Sequence, residues 1–399
     1  MTVQHQRRIL TVNRGSATLK SALYEAGNHD ELLLSMTVDQ AGVSGGRLKI
    51  ADPHGTSLFD SAFDGGDASA ALEAMFTWLR EHGFLSGLAA AGHRLVQGGP
   101  RHKDPQRITP EFLSEMEQLV PLDPDHMPAA IRGIKFIAGK FPGLPQVACF
   151  DTAFHSSLPR VARMYALPRR FYDEDIQRYG FHGLSYEYVM SELHALEGEL
   201  ANGRVIIAHL GSGASMAAVK EGKSIDTSMG FTPLEGLVMA TRSGDVDPGV
   251  LLYLFGHKKM SAKEMNALVN KESGLLGVSG TSGDMKVLLD NIHQDARAGD
   301  ALDLFCYRAK KYIGAYAAVL GGLDVLVFAG GIGEHAPVVR HRICDGLDFL
   351  GIHLDVPCNE ADAALISASE SRVRVRVIKT NEDLMIVRHV LSALGWTNA

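Results

Sequence analysis

Residues 9–24, ILTVNRGSATLKSALY, and residues 205–220, VIIAHLGSGASMAAVK, repeat one pattern half a chain apart. An apolar run rich in β-branched residues leads to a polar residue, Asn13 or His209. A Gly-Ser turn follows (Gly15-Ser16 or Gly211-Ser212), then small residues and a second strand. A strand pair closed by such a turn presents several backbone N–H groups and hydroxyls at one point, which suits a phosphate. Most single Gly-Ser turns only reverse the chain. Two of them predict two similar domains whose loops face one shared nucleotide.

The bulk numbers fit that reading. The chain has 399 residues, enough for two substantial cores. It is 46% hydrophobic and 21% charged with a net charge of −7, which argues against a nucleic-acid partner. Cys149, Cys306, Cys344 and Cys358 form no C-x-x-C pair and read as reduced structural thiols of a cytoplasmic protein. Arg7-Arg8 precedes an apolar run that Asn13-Arg14 interrupts after four residues, too early for a signal peptide. The long apolar segment 312–333 contains Asp324 and Gly321-Gly322, so it reads as a buried helix followed by a buried strand and not as a membrane span.

Strand and helix patterns alternate along the chain, the mark of an α/β protein. Strands are predicted at 9–24, 47–50, 146–150, 205–220 and 325–328, with a helix over 67–82 carried by Ala71, Leu72, Met75, Phe76 and Leu79. Further helices are predicted between about 233 and 320 and over 337–347. Val373, Val375 and Val377 alternate with Arg372, Arg374 and Arg376, a half-buried strand with a solvated basic face. A final amphipathic helix carries Leu384, Val387, Val390 and Leu391 and returns to the first domain. The division is then 1–152 plus 384–399 for the first domain and 153–383 for the second.

Several motifs admit a functional and a plain structural reading. The strand running into Gly330-Gly331-Ile332-Gly333 brings backbone close to a ligand at a helix start. Gly331, Gly333 and Ala336, with Asp355 beyond, also satisfy the dinucleotide pattern of a dehydrogenase. That reading leaves the two hairpins unexplained. No Walker A loop exists, since Ala217 stands where its first glycine belongs. Arg94 and Arg242 sit among small residues, in GHRLVQGG and TRSGDVDPG, and either bind an oxyanion or form ion pairs. Asp151 ends a strand at the domain junction, as ligand or as helix cap. His182 lies between glycines in YGFHG. Asp245-x-Asp247 resembles a metal pair but reads as loop and cap, because Pro248 suits the first turn of a helix.

Taken together, NRGSATLK (13–20), GHRLVQGG (92–99), FDTAFH (150–155), RYGFHG (178–183), HLGSGAS (209–215), TRSGDVDPG (241–249), VFAGGIGE (327–334) and VIKTNEDLMI (377–386) resemble the acetokinase family of short-chain carboxylate kinases. The resemblance implies the duplicated fold shared with actin and sugar kinases, a homodimer, ATP with Mg²⁺, and reversible phosphoryl transfer to a small carboxylate, acetate first and propionate or butyrate next. It places Asn13 and Glu382 near the metal, and Ser16, Thr18 and Lys20 in the first phosphate loop. His209, Gly211, Ser212 and Gly213 would form the second. Gly330, Gly331, Ile332, Gly333 and Glu334 would take the nucleotide, as would Asp284, Met285 and Lys286. Arg94 and Arg242 would hold the acceptor and the moving phosphoryl group, Asp151 would be the central acid, and His182 would face the γ-phosphate with His126 and His209. Val96, Phe181 and Pro233 would bound the alkyl group, beside His126.

The chain departs from the usual family pattern at Gln97, where a histidine is common, at Asp125 and Met127 flanking His126, at Ser212 and at Met285-Lys286. A carboxylate at 125 would repel an acetate unless it turned away or were paired. These changes bear on substrate and nucleotide choice, and a member of the fold that binds ATP without turnover is the alternative they raise.

Overall fold

A computed structural model describes residues 7–14, 18–27, 30–39, 46–63, 68–124 and 126–396. Ser16 and Asp125 lie outside the described residues. The chain divides into two compact units, Met1–Ala153 with Asn381–Ala399, and Phe154–Thr380.

The first unit is built on an eight-stranded sheet. Its strands are β1 (Arg7–Arg14), β2 (Thr18–Ala26), β3 (Glu31–Asp39), β4 (Gly46–Ala51), β5 (Ser57–Phe63), β6 (Leu88–Leu95), β7 (Gln106–Arg107) and β8 (Gln146–Phe150). Their order is β5-β4-β3-β2-β1-β6-β8-β7. Strands β1 to β5 form an antiparallel meander, while β1, β6 and β8 are parallel. Strand β8 is buried at every position, as expected of a parallel strand covered on both faces.

The second unit has five strands: β9 (Arg204–Leu210), β10 (Ala214–Lys220), β11 (Lys223–Thr227), β12 (Val325–Ala329) and β13 (Arg374–Val377). Their order is β11-β10-β9-β12-β13, with the hairpins antiparallel and β9, β12 and β13 parallel. Substituting β3-β2-β1-β6-β8 reproduces the same order and the same directions. The repeated hairpin of the sequence is therefore the first and second strand of a repeated five-stranded core.

Side-chain alternation decides what each face meets. In β1, Leu10 and Val12 enter a core with Leu72, Met75, Phe76 and Leu79 of the helix Ala68–Glu81. Thr11 and Asn13 point to the other face, where the C-terminal helix Glu382–Ala393 supplies Asp383 and Glu382. That helix approaches β6 so closely that a Cβ on Gly92 would stand 2.3 Å from Ile386 Cγ2 and 2.7 Å from Val390 Cγ2. Its buried residues are Ile386, Val387, His389 and Val390, whereas Leu384 and Leu391, predicted to be on the apolar face, are only half-buried.

In the second unit Val205 and Ile207 of β9 meet Tyr186, Val189 and Leu193 of the helix Gly183–Glu197, an element the sequence reading does not name. The apolar segment after residue 312 is the end of the helix Ala296–Leu320 followed by β12. Among the described residues no helix is long and apolar enough to cross a membrane. One expectation needs correction. The basic face of β13 is not wholly solvated: Arg376 is largely buried and its Nε donates to the Glu197 carboxylate, while Arg374 is exposed.

Candidate active site

The first unit gathers a charged cluster where β1, β6 and β8 end. Arg94, one residue from the end of β6, donates from Nε to Asp151 Oδ1 at 2.9 Å and from Nη2 to Oδ2 at 2.6 Å. Its Nη1 donates to Asn13 Oδ1 at 3.0 Å, and Asn13 Nδ2 donates to Glu382 Oε2 at 2.8 Å. Three of the five guanidinium N–H groups are thus taken up within the unit. Burial alone would lower the Arg94 pKa, but Asp151 and Glu382, helped by the hydrogen bond to Asp151 and by Asp123, raise it above the ordinary arginine value. Both oxygens of the Asp151 carboxylate therefore meet the Arg94 guanidinium.

Asp383, which sequence reasoning does not single out, is half-buried beside this chain of hydrogen bonds. Burial raises its pKa against the opposing hydrogen bond from Thr11 Oγ1, 2.6 Å from Oδ1, and Glu382 raises it further. The cap explains how the two acids arrive: Asn381 accepts from Leu384 N and starts the helix with Glu382 and Asp383 in its first turn. Lys20 lies opposite Asn13 in the β1–β2 register, and Thr18 opposite Asp39 in β2–β3. Val96 is buried. His126 precedes the helix Met127–Lys140, and its Nδ1 is 2.9 Å from Asp123 Oδ1. Gln97 is buried, with Oε1 accepting from Gly99 N.

The second unit gathers a different set. His182 adopts a left-handed backbone, φ 60°, directly before the helix Gly183–Glu197. Its Nδ1 is 2.8 Å from Ser215 Oγ, which also bonds Tyr186 OH at 2.5 Å. Its ring stacks on His209 at 4.3 Å between centroids, and His209 Nδ1 is 2.8 Å from Ser185 Oγ. A Cβ on Gly213 would stand 3.1 Å from Arg242 Nη2 and 3.3 Å from His182 Nε2. The second hairpin turn therefore faces both predicted catalytic groups of this unit. Arg242 Nη1 donates to the Pro233 carbonyl at 2.6 Å, so Pro233 meets the arginine through its backbone. The turn is tied to the arginine's loop by Ala240 N donating to Ser212 O.

Other predicted residues have plain local roles. Asp284 caps the helix Met285–Asn291 by accepting from Lys286 N, with Met285 buried and Lys286 exposed. Phe181 is buried, its carbonyl 3.0 Å from His155 Nε2. Residues Gly330–His335 form a short helix of their own, and Glu334 Oε1 accepts from the N–H groups of Gly330 and Thr380. Gly330 needs its positive φ, since a Cβ would lie 2.7 Å from the Leu210 carbonyl. Asp355 caps the helix Val356–Glu360 and so does not take the place a dinucleotide ribose would require. Asp247 caps Pro248–Gly256 and Asp245 accepts from Gly236 N and Tyr312 OH, so that pair is structural, as the sequence indicates.

Among the described residues no group of three or more His, Cys, Asp or Glu side chains is placed to hold a metal. The Glu382 carboxylate and the Asn13 amide oxygen, which stand side by side, are oxygen ligands of the kind a hard cation takes together with waters and phosphate.

Comparison with known proteins agrees with this chemistry. The model of the acetokinase family matches residues 8–388. An acetate kinase of Rhodopseudomonas palustris is 44% identical over 390 residues, covering 96% of this chain and 97% of that protein. One from Nitrobacter hamburgensis is 45% identical over 390 residues, covering 97% and 96%. Among solved structures, Porphyromonas gingivalis acetate kinase superimposes with a TM-score of 0.89 at 39% identity, over 97% of this chain and all of that one. A propionate kinase of Francisella tularensis gives 0.91 at 36% identity, over 96% and 98%. The chain is a phosphotransferase of the duplicated actin-like ATPase fold and belongs to the acetokinase family.

Proposed function

We propose that the protein transfers the γ-phosphoryl group of ATP to acetate, reversibly, giving acetyl phosphate and ADP with Mg²⁺ as cofactor. The observation that carries this is the Arg94–Asp151 pair, in which each oxygen of the acid that follows β8 accepts a hydrogen bond from the arginine. Such an acid is an anchor and a poor proton acceptor, and the reaction needs none. A carboxylate acceptor is ionised at neutral pH. Its oxygen forms the new bond to the γ-phosphorus as the bond to the bridging oxygen breaks, and ADP leaves with that electron pair. No proton changes hands.

The difficulty is to bring two anions together, which makes positioning and charge stabilisation the protein's task. Among the described residues two N–H groups of Arg94 are left for the acceptor carboxylate. Arg242 and His182, both against Gly213, are donors for the phosphoryl group in flight. Ser16, Thr18 and Lys20, the 209–213 turn and residues 330–334 take the phosphates, with 284–286 toward the base. Asn13 and Glu382 would hold Mg²⁺, which when bound offsets phosphate charge. Val96, Phe181 and Pro233 bound the methyl group, beside His126. The similarity to a propionate kinase favours propionate as a second acceptor.

The protein acts on small molecules in the cytoplasm as a homodimer. No disulfide joins its four cysteines among the described residues, which supports a reducing compartment. The exposed apolar helix Pro248–Gly256 supports the dimer. A hydroxamate assay with ATP, Mg²⁺ and a panel of acids tests the activity: acetate is expected to give acyl phosphate most readily. If no acid does so, and acyl phosphate with ADP yields no ATP, the reading fails and the non-catalytic ATP binder takes its place.

A further inference from the structure

Asp123 follows the single turn Val120–Leu122 and is buried, yet its two oxygens are treated unequally. Oδ1 lies 2.9 Å from His126 Nδ1, whereas Oδ2 has no hydrogen-bond partner among the described residues. A buried carboxylate oxygen without a donor costs stability, so the fold gains little from this acid. The segment is nevertheless tightly made. Met127 N donates to Asp123 O at 3.1 Å, closing a turn that holds the carboxylate and the imidazole on one short span. His126 stands at the cap position of the helix Met127–Lys140, but its side chain caps nothing and turns to Asp123 instead.

The pair also belongs to the surroundings of Arg94. Asp123 is among the charges that act on its guanidinium. Ala129, Ala130 and Gly133, from the helix that follows His126, line a small crevice together with Arg94. An imidazole fixed at Nδ1 presents Nε2 in one direction, and an acidic partner on one nitrogen is a common way to set the ring's tautomer.

We propose that Asp123 is a positioning residue for the phosphoryl-transfer site. It holds His126 with Nδ1–H on Oδ1, so that Nε2 is aimed at the anions gathered by Arg94. This rests on the carboxylate-kinase reading of the site. It adds to that reading an acid with no part in binding substrate, acting only through the histidine.

A double-mutant cycle joined to ring ¹⁵N NMR tests it. Asp123→Asn keeps the shape of the side chain and is expected to lower kcat by about 10–100-fold with little change in KM for ATP, the usual size for loss of a group that orients a functional histidine. In a His126→Ala background the same change is expected to cost nothing further. Equal cost in both backgrounds overturns the proposal. The NMR needs no variant and no turnover: His126 of the unaltered protein is expected to carry its proton on Nδ1, and a proton on Nε2 alone overturns the pairing. An unaltered protein that phosphorylates no acid but shows the Nδ1 proton sinks the kinase reading and leaves the Asp123–His126 pairing standing.

Discussion

Arg94 grips both oxygens of Asp151, Nε to Oδ1 at 2.9 Å and Nη2 to Oδ2 at 2.6 Å, in an arrangement where Asp151 is only 1% exposed. A fork on a carboxylate fixes direction as well as charge. It also makes each partner dependent on the other, since removing one from a buried pair leaves an uncompensated charge.

Asp151→Asn is therefore expected to weaken both the fold and the chemistry. Loss of one member of a buried ion pair costs about 3–5 kcal/mol, measurable as a lower urea midpoint of the unit that contains it. The turnover number should fall by about 10²–10³-fold, the size associated with a misplaced transition-state donor. An enzyme that kept its kcat with asparagine at 151 would show that Arg94 does not need the fork.

Gly213→Ala probes the second unit. The added methyl would sit 3.1 Å from Arg242 Nη2 and 3.3 Å from His182 Nε2, distances at which those groups must give way. Both are proposed donors to the moving phosphoryl group, so kcat should fall by at least about tenfold while the melting temperature holds within a few degrees, because Gly213 lies in a half-buried turn outside the apolar core. Gly299→Ala, in the helix Ala296–Leu320 and away from every proposed site residue, is the control, since no atom outside its own helix lies within 4 Å of the added Cβ. If both alanines cost alike, the crowding of Arg242 and His182 is not the cause.

The twin hairpins were legible because their signal is local: apolar alternation on either side of a small-residue turn. Arg94, Asp151, Asn13 and Glu382 were each visible as motif residues, but their joining was not. Asn13 and Glu382 are bonded across 369 positions, a relation set by the return of the C-terminal helix onto β6 over Gly92. Asp123 and Asp383 stand near more conspicuous residues, His126 and Glu382, and only the fold distinguishes them, by burying Asp123 and by setting Asp383 against the Thr11 hydroxyl. The helix Gly183–Glu197 was missed because its buried positions, from Leu184 to Leu193, include Ser185 and Tyr186, whose polar atoms serve His209 and Ser215 and blur the apolar stripe. Arg376 was misjudged because alternation reports which face a side chain takes, and the partner waiting there, Glu197, lies on another element.

Acid should unfold the protein through two histidines outside the proposed chemistry. Burial pushes the pKa of His93 down to about 4, against the hydrogen bond to Gln146, and burial likewise pushes His155 down to about 4. Both rings are thus neutral in the fold at pH values where the unfolded chain, with an ordinary value of 6.5, already binds protons. Stability is full above that unfolded value and falls as the pH drops toward the folded one, by about 3 kcal/mol per ring. His93→Gln, which can retain a bond to Gln146, should flatten the loss between about pH 6.5 and about pH 4. Urea midpoints across that range measure it, and an equally steep loss in the variant would place the acid sensitivity elsewhere.

The helix Pro248–Gly256, PGVLLYLFG, has no buried residue, and Leu252, Tyr253 and Phe255 are 72%, 53% and 60% exposed. Its Asp247 cap and Pro248 first turn make it a well-formed helix, so the exposure does not reflect a frayed end. Apolar side chains grouped in this way mark a surface that another molecule covers. Each large one removed from water is worth about 1.5–3 kcal/mol, enough for three or four to hold two copies together at micromolar concentration. Light scattering on the unaltered protein is expected to give twice the chain mass. Leu252→Glu with Phe255→Glu should give the single mass with the far-UV circular dichroism unchanged. A monomeric unaltered protein, or a charged variant that remains a dimer, would remove this helix from the interface.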